Sequence, residues 1–256
     1  MFRHAIVRPP PPNFAEGLTT ARLGAPALEK ALEQHEEYCE ALRRCGLTLI
    51  RLEADPDHPD STFVEDTAVL TPRRAILTRL GAASRRGEVE SIGKELGRCY
   101  PSCERIRAPG TVDGGDVCEA GDHFFIGISK RTNEEGAGQL ADLLRRDGYD
   151  SCSVDIREIE GILHLKSGLA HLGADRLAVI DALADHEAFR SYDLLRVDPA
   201  EAYATNCVSV NEFVLVAAGY PRLETAVRNL GNRVIVLEMS EFQKMDGGLS
   251  CLSLRF

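Results

Sequence analysis

No apolar run in this chain approaches the roughly 20 residues that a membrane-spanning helix needs. The opening Met1-Phe2-Arg3-His4-Ala5-Ile6-Val7-Arg8-Pro9-Pro10 has no apolar signal core and starts like a strand stopped by prolines. The expectation is a protein that is not exported. Cys-x-x-Cys pairs are missing, although there are eight cysteines (Cys39, Cys45, Cys99, Cys103, Cys118, Cys152, Cys207, Cys251). Their spacing fits no metal finger, and they are expected as reduced thiols in the cytoplasm. Basic excess is lacking too: 40 acidic residues against 30 Lys and Arg give a formal charge of −10. That balance argues against nucleic acid as partner and is compatible with a cationic substrate. No linker or low-complexity tract divides the 256 residues, so one domain spanning 1–256 is expected, large enough to bury a substantial core.

What the chain does contain is a repeat. Glu65-Asp66-Thr67-Ala68-Val69-Leu70 passes through Pro72-Arg73-Arg74 into Ala75-Ile76-Leu77-Thr78. Gly115-Asp116-Val117-Cys118-Glu119-Ala120 leads into His123-Phe124-Phe125-Ile126-Gly127-Ile128. Lys166-Ser167-Gly168-Leu169-Ala170-His171-Leu172 leads into Arg176-Leu177-Ala178-Val179-Ile180, and Asn206-Cys207-Val208-Ser209-Val210 into Phe213-Val214-Leu215-Val216. Each copy reads as a polar turn, a short strand, a hairpin turn and an apolar strand. The openings, at 66, 116, 167, 207 and 250, fall 40 to 51 residues apart. Between them the spacing predicts helices over 27–44, 88–96, 134–146 and 223–230, with Leu28, Leu32, Cys39 and Leu42 as the apolar stripe of the first. Residues 48–52 and 232–237 read as further strands. The fifth copy stops after Leu254, and the strand it lacks is available in residues 4–8. Pairing the two removes an exposed edge. The expected fold is therefore an α/β ring of five ββαβ units with pseudo-fivefold symmetry, closed by its N- and C-terminal strands.

A ring gathers its polar turns around one channel. Those turns carry Phe63-Val64-Glu65-Asp66, Thr111-Val112-Asp113-Gly114-Gly115-Asp116, Ile162-Leu163-His164-Leu165-Lys166-Ser167 and Asp246-Gly247-Gly248-Leu249-Ser250-Cys251. Carboxylates, a histidine and a cysteine on converging turns supply a cradle, an acid/base and a nucleophile. Cys251 is expected at the entry of the last strand, where a thiol is held rigidly and can still face a cavity. Asp116 is read as a cap of its own turn, and His123, His171, His186 and Asp122 as structural.

Together these motifs resemble the guanidine-modifying, or pentein, superfamily, and in detail its dimethylarginine dimethylaminohydrolase family. Ser84-Arg85-Arg86-Gly87 and Ser129-Lys130-Arg131-Thr132-Asn133 complete a set of six that runs over essentially the whole chain. The resemblance implies a five-bladed α/β propeller and hydrolysis of N-methylated arginines to citrulline and a methylamine. It implies Cys251 as the nucleophile that attacks the guanidinium carbon and His164 as acid and then base. Asp66 and Asp113 would hold the guanidinium, or Asp113 would orient His164. Arg85 and Arg131 would meet the α-carboxylate; Asp60, Glu65 and the backbone near Leu18, Met245 and Asp246 would meet the α-ammonium. No cofactor and no metal are implied, and zinc on Cys251 and His164 would be adventitious. The implied partner is a small methylated arginine, neither nucleic acid nor membrane, with a homodimer left open.

Arginine deiminase, agmatine deiminase and amidinotransferase are rival activities on the same scaffold, and a non-catalytic, ribosome-binding ring protein is the rival class. The non-catalytic relatives lack the cysteine, histidine and acid set present here. Arginine deiminases carry an acid two positions after the histidine, where this chain has Lys166. A dimethylated nitrogen has no N–H to offer such an acid, so its absence favours methylated substrates. Lys166 itself is expected to turn outward, with its ammonium in solvent.

Overall fold

The computed structural model describes all residues 1–256. They divide into two compact units, Met1–Val64 with Asn206–Phe256, and Glu65–Thr205. In chain order the elements begin with β1 (His4–Val7), α1 (Leu28–Arg44) and β2 (Thr48–Arg51). Next come β3 (Ala68–Leu70), β4 (Ala75–Leu77), α2 (Glu88–Cys99) and β5 (Cys103–Arg105), then β6 (Val117–Ala120), β7 (His123–Ile128), α3 (Glu134–Arg146) and β8 (Asp150–Asp155). The third set is β9 (Leu169–His171), β10 (Arg176–Ile180), the four-residue α4 (Asp181–Ala184) and β11 (Asp193–Val197). The chain ends with β12 (Val208–Val210), β13 (Phe213–Ala217), α5 (Pro221–Asn229), β14 (Arg233–Leu237), α6 (Ser240–Gln243) and β15 (Leu254–Arg255).

Three sheets, β3-β4-β5, β6-β7-β8 and β9-β10-β11, make up the unit Glu65–Thr205. In each, the first two strands pair antiparallel as a hairpin and the third pairs parallel after a crossover. A parallel neighbour cannot be reached by a tight turn, which is why the crossover segment contains a helix. The other unit holds two sheets, β12-β13-β14 and β15-β1-β2. The second is assembled from both ends of the chain: Ala5 pairs with Arg255 and Ile6 with Leu254, antiparallel, while β1 runs parallel to β2. The expected pairing of first and last strands is present.

Each hairpin is entered through a 3-10 turn, at Val64–Thr67, Gly114–Asp116, Leu165–Ser167, Pro199–Thr205 and Ser250–Leu252. Four of these turns contain the expected openings at 66, 116, 167 and 250, whereas Pro199–Thr205 ends before the opening expected at 207. The stripe of α1 is shifted from the expected one. Ala31, Gln34, His35, Tyr38, Cys39, Ala41 and Leu42 face inward, and Leu32 is 40% exposed. The third crossover contains no long helix; α4 and a 3-10 turn at Glu187–Phe189 fill it. Strand β7 shows how the sheets stack. Alternation sends Phe124, Ile126 and Ile128 into one apolar cluster with Ile76 and Leu140. Phe125 enters the next cluster, with Leu169, Val179 and Phe189. A sheet packed on both faces leaves its ends as the place where polar turns can form a site. No helix is long and apolar enough to cross a membrane.

Candidate active site

Within Glu65–Thr205 the turn Asp113-Gly114-Gly115-Asp116 organises the chemistry. Neither glycine has a positive φ; both are required by close approach. A Cβ on Gly114 would run into the Glu65 carbonyl, and one on Gly115 would sit 2.7 Å from His164 Nδ1 and 2.9 Å from Asp66 Oδ1. The pair lets the turn of Glu65 and Asp66, and the His164 ring, lie directly on this backbone. Gly115 N donates to Asp66 Oδ1 at 2.9 Å. His164 Nε2 lies 3.1 Å from Asp113 Oδ2, and Asp113 Oδ1 accepts from Gly81 N at 2.8 Å. A carboxylate anchored in this way fixes the orientation of the imidazole.

The surroundings are acidic. Glu65, Asp66, Glu88, Asp113 and Asp116 are all buried, against the cations Arg85, Lys166 and, when protonated, His164. Burial opposes charge on His164, but the carboxylates of Asp66 and Asp116 and the bond to Asp113 outweigh it and raise its pKa to about 9. Burial also opposes charge on Asp66; His164 and Arg85 outweigh it and bring Asp66 down to about 2. Asp116 goes the other way. Burial pushes it up to about 6 against the pull of His164 and of hydroxyl bonds from Ser129 and Thr132. Donor atoms of Asp66, Asp113 and His164 lie within 4.8 Å of one another. A protonated imidazole has no lone pair for a metal ion. What this cluster suits at neutral pH is an organic cation held by carboxylates.

Asp116 does more than cap its own turn. Its Oδ1 accepts from Leu165 N at 3.0 Å, next to His164, and its Oδ2 accepts from Ser129 Oγ at 2.6 Å and Thr132 Oγ1 at 2.7 Å. Thr132 Oγ1 in turn accepts from Asp113 N at 3.1 Å. Asp116 therefore braces both partners of the His164–Asp113 pair and contributes negative charge beside them. Asp116→Asn keeps the shape and removes the charge. The pKa of His164, raised to about 9 partly by this carboxylate, is expected to fall, and an alkaline limb of kcat/KM that His164 governs is expected to move with it to lower pH, read between pH 6 and 10. An unmoved limb would restrict Asp116 to a role in shape.

Two cations are placed differently from expectation. Arg85 is 5% exposed. Its Nε and Nη2 donate to the two Glu88 oxygens at 2.9 Å each, and its Nη1 donates to Asp66 Oδ2 at 2.8 Å. Expected at the α-carboxylate, Arg85 here has a different first duty: it holds Asp66. Lys166 does not reach into solvent. Its Nζ sits 2.7 Å from Glu65 Oε1, with side-chain exposures of 16% and 5%. The expectation of an outward lysine failed because an isolated buried Glu65 would be costly and a four-carbon stem can reach it. Arg131 keeps its expected availability. Nη1 is buried with no hydrogen-bond partner, while its backbone packs so tightly on Gly81 that a Cβ there would collide with it. A buried orphan donor on a cation points to an anionic group of the substrate.

The candidate thiol lies in the unit formed by Met1–Val64 and Asn206–Phe256. Cys251 lies inside the 3-10 turn Ser250–Leu252, before β15 and not at its entry, and is partly exposed between buried neighbours. Its N–H donates to Gly248 O at 3.2 Å. Asn206 clamps the turn, accepting from Ser250 N at 2.9 Å and donating to Ser250 Oγ at 3.2 Å. Gly248 is needed there because a Cβ would strike the Asn206 amide. Asp246, at φ 57°, accepts from Thr20 N and Thr20 Oγ1. Asp60, 5% exposed, accepts from Leu18 N at 3.0 and 3.2 Å, and Gly17 lets that segment lie against both Asp60 and buried Met245. The segment Gly17–Thr20 thus lies against Asp60, Met245 and Asp246; Glu65, which the resemblance grouped with them, is paired with Lys166. Sequence reasoning missed Glu88, Ser129, Thr132 and Asn206 as supports; Asn206 was marked only as the opening of the fourth repeat, and Ser129 and Thr132 only as members of a family motif.

The model of a family described as eukaryotic N,N dimethylarginine dimethylhydrolase matches residues 24–191. An N(G),N(G)-dimethylarginine dimethylaminohydrolase of Pseudomonas aeruginosa is 46% identical over 257 residues, covering 100% of both chains. The crystal structure of a cysteine-to-serine variant of the Pseudomonas aeruginosa enzyme complexed with citrulline superimposes with a TM-score of 0.97 at 46% identity, covering 100% of both chains. A histidine-to-glycine variant of a dimethylarginine dimethylaminohydrolase, solved as an adduct with S-methyl-L-thiocitrulline, gives a TM-score of 0.96 with the same identity and coverage.

Proposed function

The chain belongs to the dimethylarginine dimethylaminohydrolase family, and from that premise we infer that it hydrolyses Nω-methylated arginine to citrulline and a methylamine. The observation that carries the reading is the acidic nest: Asp66 and Asp113 converge with a cationic His164 among five buried carboxylates. Such a nest receives a guanidinium and donates a proton.

Guanidinium is a poor electrophile because its charge is delocalised. A thiolate is the better nucleophile, and a bound cation favours that form of Cys251. The thiolate adds to the guanidinium carbon. His164 then delivers its proton to the departing dimethylamine as the C–N bond breaks, leaving an S–C thiouronium on Cys251. The neutral imidazole takes a proton from water, which adds to the same carbon; collapse releases citrulline and returns the thiolate. Asp66 holds the guanidinium, itself braced by Arg85 and Gly115, and Asp113 orients His164. Asp60 with the backbone of Leu18, Met245 and Asp246 receives the α-ammonium, and Arg131 receives the α-carboxylate, with Arg85 acting through Asp66. The relatives' citrulline complex and thiocitrulline adduct support the roles of Cys251 and His164. No cofactor enters the scheme.

The five hairpin-and-crossover motifs belong, on this reading, to one closed propeller forming a single catalytic domain. The β1–β15 pairing supports it. All eight cysteines are free, in keeping with a reducing cytoplasm, and light scattering decides between monomer and homodimer.

A citrulline assay with asymmetric dimethylarginine, monomethylarginine, arginine and agmatine side by side tests the function. Mono- and dimethylarginine are expected to be hydrolysed and arginine scarcely at all; arginine turned over as fast as dimethylarginine would overturn the substrate assignment. Arg131→Ala is expected to raise KM for dimethylarginine roughly 10- to 100-fold with little change in kcat, the value of a charged hydrogen bond. An unchanged KM would remove Arg131 from carboxylate recognition.

A further inference from the structure

Glu65 and Asp66 are consecutive residues of the 3-10 turn Val64–Thr67, and each has its own cation. Asp66 has Arg85 at 2.8 Å, and Glu65 has Lys166 at 2.7 Å, both pairs largely shielded from solvent. Arg85 is accounted for by its grip on the carboxylate that holds the guanidinium. Lys166 takes no part in the chemistry above, yet its ammonium is drawn into the nest from the turn Leu165–Ser167, directly after His164. We propose that Lys166 is a specificity-determining residue: by pairing with Glu65 it lets that carboxylate stand beside N-methyl groups, and so selects methylated over unmethylated guanidinium.

The argument is one of donors. A buried carboxylate needs N–H groups or a counter-charge. Arginine can offer N–H from both terminal nitrogens, whereas the dimethylated nitrogen of the substrate offers none. Were Glu65 unpaired, arginine would satisfy it and dimethylarginine would leave it stranded. With Lys166 in place the requirement is met by the protein, and the methyl groups meet a neutralised pair. The inference rests on the proposed function and on placing Glu65 at the guanidinium end of the substrate, not at the α-ammonium as the resemblance implied; its position next to Asp66 and its pairing with Lys166, two residues after His164, support that placement.

Lys166→Met keeps most of the stem and removes the ammonium, and Lys166→Arg keeps the charge. The quantity to measure is the ratio of kcat/KM for asymmetric dimethylarginine to that for arginine. The expected result is a fall in the ratio of at least tenfold in Lys166→Met, with recovery in Lys166→Arg. Glu65→Gln combined with Lys166→Met removes both charges, and its ratio is expected to match that of Glu65→Gln alone. That second comparison stands even if the single methionine variant does not fold. Equal losses on both substrates, leaving the ratio unchanged, would make Lys166 a structural residue and overturn the proposal. So would a tenfold difference between Glu65→Gln and the double variant. A parent enzyme that releases no citrulline from dimethylarginine would instead overturn the function itself, so the two failures are distinct.

Discussion

Cys251→Ser should abolish citrulline formation, a loss of at least about 10³-fold in kcat, while leaving substrate binding in place. A serine hydroxyl stays protonated beside a bound guanidinium, so the attacking species is never formed. The turn survives the change, because its bonds are made by Gly248 O, the Cys251 backbone and the Asn206 amide, not by the thiol alone. A serine variant of the Pseudomonas aeruginosa enzyme does hold citrulline. The companion measurement is mass spectrometry after acid quench during turnover of the parent enzyme, where the adduct should appear on Cys251. Other thiols are poor competitors. Burial pushes Cys39, Cys45 and Cys118 up to about 11, so they stay protonated at neutral pH. Retention of a tenth of the activity in the serine variant, or an adduct on Cys207, would displace Cys251 from the mechanism.

The repeat made much of the fold legible. Strands of three to six residues alternating with turn signals recur at a near-constant interval, and local pattern suffices to find them. Helix ends were readable where capping chemistry was present. Asn133 accepts from Gly136 N at 2.8 Å and opens α3 at the expected residue. The phase of α1 was not legible, because its buried stripe runs through Gln34 and His35, polar residues that tertiary partners satisfy. Gln34, for one, donates to Ser240 Oγ at 2.9 Å. The helix of the third crossover was not legible for a related reason. Four residues of α4 carry no period that a sequence can display.

Individual reactive groups were legible; of their pairings only Asp113 with His164 was foreseen, as one of two roles for Asp113. Cys251, His164, Asp113 and Asp66 each stand in a short polar motif. Nothing in those motifs says that Lys166 turns to Glu65, since a lysine after a buried histidine is a surface residue by default. Charge balance is a property of the assembled nest, where five carboxylates must share few cations. Likewise Arg85, in the 3-10 turn before α2, and Glu88, the first residue of α2, look like a surface pair; in the structure both are buried and bonded to each other through two parallel contacts. The glycines of Asp113-Gly114-Gly115-Asp116 read as a hairpin signal, whereas they are vacancies for the Glu65 carbonyl and the His164 ring.

His164→Gly should lower kcat by roughly 10² to 10⁴-fold, the range of a positioned acid/base, with a much smaller effect on substrate affinity. Both chemical steps use the same imidazole, so the variant should stall with the thiouronium on Cys251 or before amine departure. The adduct should then accumulate instead of turning over. A relative's histidine-to-glycine variant keeps the fold at a TM-score of 0.96 and carries an adduct, so the test is practicable. The pH dependence is equally specific. With a pKa raised to about 9, His164 carries its proton at neutral pH and can protonate the amine; that capacity is lost as pH rises through about 9. The parent profile should therefore fall on its alkaline side near pH 9, and the variant should lack that limb. Stability follows the same sign. A histidine whose pKa is raised from 6.5 stabilises the fold fully below about 6.5, and the contribution disappears as pH climbs through about 9. Thermal melts of parent and variant should therefore differ more at pH 6 than at pH 10. Added imidazole should restore part of the lost turnover, most effectively where it is protonated enough to act as an acid. A variant that keeps the parent's alkaline limb and does not accumulate adduct would mean that another group moves the proton.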